Sequence, residues 1–125
     1  MMFKIFLMCL GLHFFVDYTL QGWLAQAKCR SWWEENYPQE LYRHDWICAL
    51  FCHSLYWTLF TFAPIIYLWD SPSSGLAVLL TGNFAIHAIT DDMKANARKI
   101  SLCTDQLVHL GQIVLTIWVA ALVVG

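Results

Sequence analysis

"FKIFLMCLGLHFFVDYTLQGWL", residues 3–24, is an apolar run interrupted by an imidazole and a carboxylate. A helix crossing a bilayer needs about 17–25 largely apolar residues, which this run supplies. His13 and Asp17 stand four apart, so they share one face of a helix. A secretory signal is the competing reading, because Ala25–Ala27 before Lys28 resembles a cleavage site. The run is too long for one and is broken by His13 and Asp17, so a retained helix is expected.

The rest of the chain follows the same pattern. Of 125 residues, 59% are hydrophobic and only 13% charged, too few polar groups to cover a soluble domain of this size. Four segments have spanning length: about Phe3–Leu24, Asp45–Trp69, Leu76–Met93 and Leu107–Val124. One all-α membrane domain over 1–125 is expected, an up-down four-helix bundle with short antiparallel connections. Pro64 is expected to kink the second helix, and "DSPSSG" (70–75) to turn between the second and third.

The basic residues orient the bundle. Lys28, Arg30 and Arg43 fall in the first loop and Lys94, Arg98 and Lys99 in the third, with Lys4 alone opposed. The positive-inside rule then places loops one and three in the cytoplasm and both termini outside, in a membrane crossed several times. Trp23, Trp32, Trp33, Tyr37, Tyr42 and Trp46 form the cytoplasmic aromatic belt, with Tyr67 and Trp69 on the other side. Loop one, "KCRSWWEENYPQELYR" (28–43), lies in the headgroup plane, as an anchor or as a lid. Five cysteines show no disulfide framework and read as small apolar fillers. Nothing suggests nucleic acid. Membrane lipid is the expected partner, with a second copy left open.

The polar residues inside the spans carry the chemistry. An Asp at the centre of an isolated membrane helix costs about 2.5–3.5 kcal/mol on insertion scales. Helices one and three read His-x-x-x-Asp (His13/Asp17, His87/Asp91), and the fourth reads Asp-x-x-x-His (Asp105/His109). Alternating helix directions turn this inversion into a match. Each His lies deeper, and each Asp about 6 Å nearer the cytoplasm at 1.5 Å rise per residue. His53 enters from helix two at about 12 Å depth on the same rise. One such pair reads as helix glue, but three in register with a further His favour a metal site over an ion path or a structural network. His13, Asp17, His53, His87, Asp91, Asp105 and His109 are the candidate ligands, with Asp17, Asp91 and Asp105 as candidate bases. Zinc suits them best, and iron or manganese also fit. Seven ligands exceed one tetrahedral ion. Two ions sharing a carboxylate are slightly preferred to one ion with carboxylates orienting its imidazoles. Gln21, Asn83, Lys94 and Gln106 continue these faces as substrate-binding or ligand-orienting candidates, and Gln112 flanks His109. His44 and Asp45 read as helix-start residues at the interface.

These segments also carry a resemblance. "HFFVDYTLQGWLAQAK" (13–28), "CHSLYW" (52–57), "HAITDDMK" (87–94) and "DQLVH" (105–109) resemble the signature segments of an uncharacterised family. It comprises small integral membrane proteins of bacteria and their phages, grouped as a domain of unknown function. The resemblance implies a four-helix fold, the same His/Asp pattern and a bacterial inner membrane, with no reaction attached. Thr19 stands where members often carry proline.

Three functions remain in view. A metal-dependent hydrolase would use a bound metal to acidify water and an Asp as general base, near the headgroup bonds of a lipid or membrane-associated substrate. Its general look is similar to membrane metalloenzymes of the ceramidase and adiponectin-receptor kind, an analogy only. A proton or metal-ion transporter would need polar groups through the outer half, where "TFAPIIYLW" (61–69) and "LTIWVAALVVG" (115–125) are mostly apolar. A non-enzymatic phage or bacterial membrane factor with a structural metal, acting on a host membrane protein through loop one, is the third.

Overall fold

The computed structural model describes residues 1–69 and 73–124, with Val124 described by its backbone alone. Part of the expected turn, 70–72, lies outside the described residues. The described residues form only helices and their connections: α1 (Met2–Phe14), α2 (Leu24–Ala27), α3 (Arg30–Asn36), α4 (Asp45–Thr61), α5 (Ala63–Leu68), α6 (Ser74–Ala95) and α7 (Leu102–Val124). The all-α expectation holds, but with shorter pieces than four uninterrupted helices.

Two departures have local causes. After Phe14 the first helix widens into a π-helical stretch, Phe15–Leu20, and the chain leaves it at Gly22 with φ 49°. That left-handed turn suits a residue without Cβ. The second break falls at Phe62, between α4 and α5. Pro64 was expected to kink a continuous helix. Instead it sits in the first turn of a new one, where its missing N–H has no intrahelical partner to lose. The break turns Phe62 inward, fully buried edge-on against Trp57.

α6 starts on a cap: Ser73 Oγ accepts from Leu76 N at 3.2 Å and from Trp69 Nε1 at 2.9 Å. α7 starts five residues earlier than expected, with the Ser101 hydroxyl accepting from Thr104 N. Asp105 and Gln106 therefore lie inside its first turns.

α1 packs on α4 and α7, and α6 packs on α4 and α7, which closes a ring of four rods. The cluster described below is met late along α1 and α6 but early along α7 and in the first half of the rod that α4 and α5 make together, so neighbouring rods run in opposite directions. Two segments, Met2–Leu20 and Leu102–Val123, are long and apolar enough to cross a membrane. α4 stops after 17 residues, and α6 carries Asn83, His87, Asp91, Asp92 and Lys94.

The interior is layered. An apolar cluster including Ile5, Cys9, Trp57, Phe62, Ile65, Ile113 and Ile117 fills one end. A smaller one beneath loop one holds Ala27, Trp33 and Ala49, with Trp32, Tyr42 and Trp46 against it. Between them lies a belt of buried polar side chains. The outward faces are apolar on every rod, from Phe3 and Leu7 through Leu55, Leu59, Val78 and Ile89 to Leu115 and Trp118. Cys48, Cys52 and Cys103 are on the exposed faces, so only Cys9 is a buried apolar filler.

Candidate metal centre

Helical spacing brings each pair together. His13 Nδ1 lies 3.8 Å from Asp17 Oδ2, His87 Nε2 lies 3.7 Å from Asp91 Oδ2, and His109 Nε2 lies 3.4 Å from Asp105 Oδ1. His53 then joins them from α4. Its Nε2 is 3.2 Å from His87 Nε2, 3.2 Å from Asp91 Oδ2 and 3.6 Å from Asp17 Oδ1. His109 Nε2 is 3.8 Å from Asp91 Oδ1. All four imidazoles and all three carboxylates therefore occupy one buried belt.

Two groups draw close enough to hold a metal ion: Asp17, His53 and His87, and then His87, Asp91 and His109, with ligand atoms within 4.8 Å of one another. Zinc–nitrogen bonds of about 2.0–2.1 Å give tetrahedral ligand–ligand edges of about 3.3 Å. The 3.2 Å spacings around His53 are of that size. His13 and Asp105 stand beside these groups rather than in them.

Two lysines enter the belt. Lys28 is 4% exposed, and its Nζ donates to Asp91 Oδ2 at 2.5 Å. Lys94 Nζ donates to Asp105 Oδ2 at 2.6 Å and lies 3.6 Å from Asp91 Oδ1. With neutral histidines, three carboxylates and two ammonium groups leave one negative charge unmatched.

Buried polar atoms without a protein partner concentrate here. They are Asp17 Oδ1, Asp105 Oδ1, His109 Nε2, and the Nδ1 atoms of His53 and His87, with Thr61 Oγ1 the one such atom elsewhere among the described residues. Each orphaned buried polar group costs about 1–3 kcal/mol. Two of the five, Asp105 Oδ1 and His109 Nε2, face each other at 3.4 Å, where a proton or another cation would satisfy both.

The remaining candidates separate by depth. Gln21 Nε2 lies 3.2 Å from His53 Nε2. Gln106 bridges His13, Asp105 and Asp17. Asn83 lies one turn before His87 and two before Asp91 on α6, bonded to Thr116 and Gln112. His44 is exposed at the start of α4, outside the cluster.

The sequence reading missed Lys28 and Trp57. Lys28 served there only as a marker of orientation. It is buried because α2 and α3 fold back over the rods. Trp33 donates to Ala27 O at 2.6 Å, and Asn96, at the end of α6, bonds both Lys28 O and Arg30 N. Trp57 stacks on His87 at 4.1 Å and contacts His13 and His109 edge-on or tilted. Its four-residue spacing from His53 was the available signal.

The fold and the site together define an all-helical protein whose buried His/Asp groups could hold a metal ion. No protein-family model, curated protein or solved structure matches the chain.

Proposed function

We propose that the chain is a membrane-embedded metal protein and a metal-dependent hydrolase, acting on a lipid or membrane-associated substrate at the cytoplasmic leaflet of a bacterial inner membrane. The observation that carries this reading is the convergence of atoms bearing lone pairs. Asp17 Oδ1, Asp105 Oδ1 and His109 Nε2 lack protein partners in the same belt where two His/Asp groups meet. A cation is what such a set of atoms accepts.

The membrane part rests on the inverted distribution of polarity. His53, His87 and His109 are 0% exposed, whereas Phe3 is 71%, Val78 72% and Trp118 60% exposed. Exposed apolar side chains also line α4 and α6, which favours four crossings over two. The basic residues of loops one and three support the cytoplasmic orientation, and the likeness to the bacterial and phage membrane family belongs to the same proposal.

One ion suits the geometry better than two. His87 belongs to both groups, and a ring nitrogen has a single lone pair to give. Zinc is the first choice, with iron or manganese behind it. When bound, the ion supplies Lewis acidity and a water that ionises near pH 7. Asp17, Gln21, Gln106 and Lys94 form the less buried side of the belt. That side gives water and substrate an approach, and Asp17, whose Oδ1 is unpaired, is the group placed to take a proton.

A structural ion is the second reading, favoured by one observation. Each of five cavities along the described residues is lined by side chains outside the seven-ligand set. Transport is disfavoured by the apolar layer of Trp57, Phe62, Ile113 and Ile117 beyond the belt.

The test combines elemental analysis of detergent-purified protein with an assay in vesicles carrying ester-, amide- and phosphate-labelled lipids. The hydrolase reading expects bound metal and product release that a chelator stops. Bound metal with no product from any lipid favours the structural reading, and protein free of metal when purified without chelator rejects both.

A further inference from the structure

Two hydrogen-bond relays reach the histidines from groups whose roles admit no choice. The first begins at Trp57. An indole N–H only donates, and Trp57 Nε1 lies 2.8 Å from His13 Nδ1, so that nitrogen must carry the lone pair. The proton of the neutral ring then sits on His13 Nε2, which donates to Gln106 Oε1 at 3.1 Å. With its oxygen so used, Gln106 turns its amide nitrogen to Asp105 Oδ2 at 3.0 Å and towards Asp17 Oδ2 at 3.5 Å. Every link runs in one direction, from indole to carboxylate.

The second begins at Asn83. Its backbone carbonyl can only accept, and Gln112 Nε2 donates to it at 2.9 Å and to Asn83 Oδ1 at 3.2 Å. The Asn83 side chain is itself held, because its Nδ2 donates to Leu79 O at 2.9 Å and to Thr116 Oγ1 at 2.8 Å. Gln112 therefore presents Oε1 to His109 Nδ1 at 3.0 Å, and that nitrogen must carry the proton. His109 Nε2 then faces Asp105 Oδ1 and Asp91 Oδ1, a place for a cation: a second proton in the metal-free protein, or a metal ion that takes the Nε2 lone pair in its stead.

We infer that these relays sort the histidines: His109 is a ligand through Nε2, while His13 is withheld from the metal and acts as a positioning residue. This rests on the metal reading above and goes beyond it by assigning atoms. His109 is held as metal-binding imidazoles usually are, its far nitrogen donating to an acceptor that fixes the tautomer. His13 has no nitrogen left. Ligation through Nε2 would break its bond to Gln106 and force the proton to Nδ1, where it would meet the Trp57 N–H donor to donor. Its task is to aim Gln106 at Asp105 and Asp17. Asn83 and Gln112, which never touch the ion, set the orientation of a group that does.

The experiment uses the full chain in detergent, labelled with 15N-histidine, first without metal and then with cadmium-113. The metal-free spectrum should show His13 as the Nε2–H tautomer and His109 with its Nδ1 protonated. Cadmium should then give 15N–113Cd coupling at His109 Nε2 and none at His13. Gln112→Leu should weaken cadmium binding about 10-fold or more, whereas Gln112→Glu, which keeps the acceptor, should retain the Nε2 coupling. Coupling at His13, or at His109 Nδ1, overturns the sorting while leaving the metal reading intact. Coupling at no histidine overturns both. Because tautomers and couplings are read on the unmodified protein, a variant that fails to fold removes nothing from the test.

Discussion

Lys28 Nζ lies 2.5 Å from Asp91 Oδ2, with the two side chains only 5% and 1% exposed. A loop residue thus supplies the counter-charge for a carboxylate at the centre of the bundle, and Asn96 fastens the loop to the end of α6 on both sides of it. Loop one therefore folds back over the rods and sends one side chain into the buried belt.

Removing that charge leaves Asp91 uncompensated. Breaking one partner of a buried ion pair costs about 3–5 kcal/mol, so Lys28→Met should lower stability by that order in detergent unfolding. The control is Arg30→Ala. Arg30 pairs with Glu34, both more than half exposed, and such a surface pair is worth about 0–1 kcal/mol. Added zinc should recover part of the Lys28→Met loss, since a cation bound to the native state stabilises it by mass action. Equal losses in the two variants would contradict the buried pair.

Metal content should sort the histidines by position. His53→Ala and His87→Ala should each reduce bound metal to a small fraction of wild type, because both supply ligand atoms to the groups that converge. His44→Ala should leave it unchanged, since His44 is exposed at the start of α4. Elemental analysis of the three variants after identical purification is the measurement. Equal metal in all three would exclude the site.

Much of the site could be read from spacing. His-x-x-x-Asp in α1 and α6 and Asp-x-x-x-His in α7 lie within single helices, where four residues fix a common face whatever the tertiary structure. The inversion in α7 then required only that neighbouring rods alternate in direction. What spacing could not carry is non-local or depends on a break in regularity. Lys28 is buried because Trp33 and Asn96 fold a loop back, and no helical period places it there. The π-helical widening at Phe15–Leu20 and the exact place of the break at Phe62 depend on tertiary packing: Asp17 and Pro64 mark both neighbourhoods in the sequence but do not say that one helix widens and the other ends. The widening falls on the segment that holds Asp17, and such local departures recur at functional sites.

Topology gives a further test. In a cysteine-depleted background, single cysteines at Ser31 and Lys99 should react with an impermeant reagent only from the cytoplasmic side, and one at Ser74 only from the outside. Ser31, Lys99 and Ser74 are exposed, so access is decided by the membrane and not by packing. Ser74 labelling from the cytoplasm would reverse the orientation. Reaction of all three from one side would remove the four-crossing arrangement.

The last prediction separates a catalytic ion from a structural one. Asp17 is the least enclosed of the three carboxylates, 7% exposed at the side chain against 1% for Asp91 and 0% for Asp105. Its Oδ2 faces the Gln106 amide at 3.5 Å, while Oδ1 has no partner in the protein. That oxygen is itself buried, 3.6 Å from His53 Nε2, so a general base there would act on a water held inside the belt. Asp91 and Asp105 are instead held by Lys28 and Lys94. Asp17→Asn keeps the shape and the Oδ-level contacts but cannot take a proton. It should lower turnover about 100-fold or more, within the range of general-base contributions, while metal content and thermal stability stay close to wild type. If metal and stability fall together with turnover, Asp17 is holding the ion and not serving as base. If turnover is unaffected, another carboxylate takes the proton, and Asp105→Asn becomes the decisive variant.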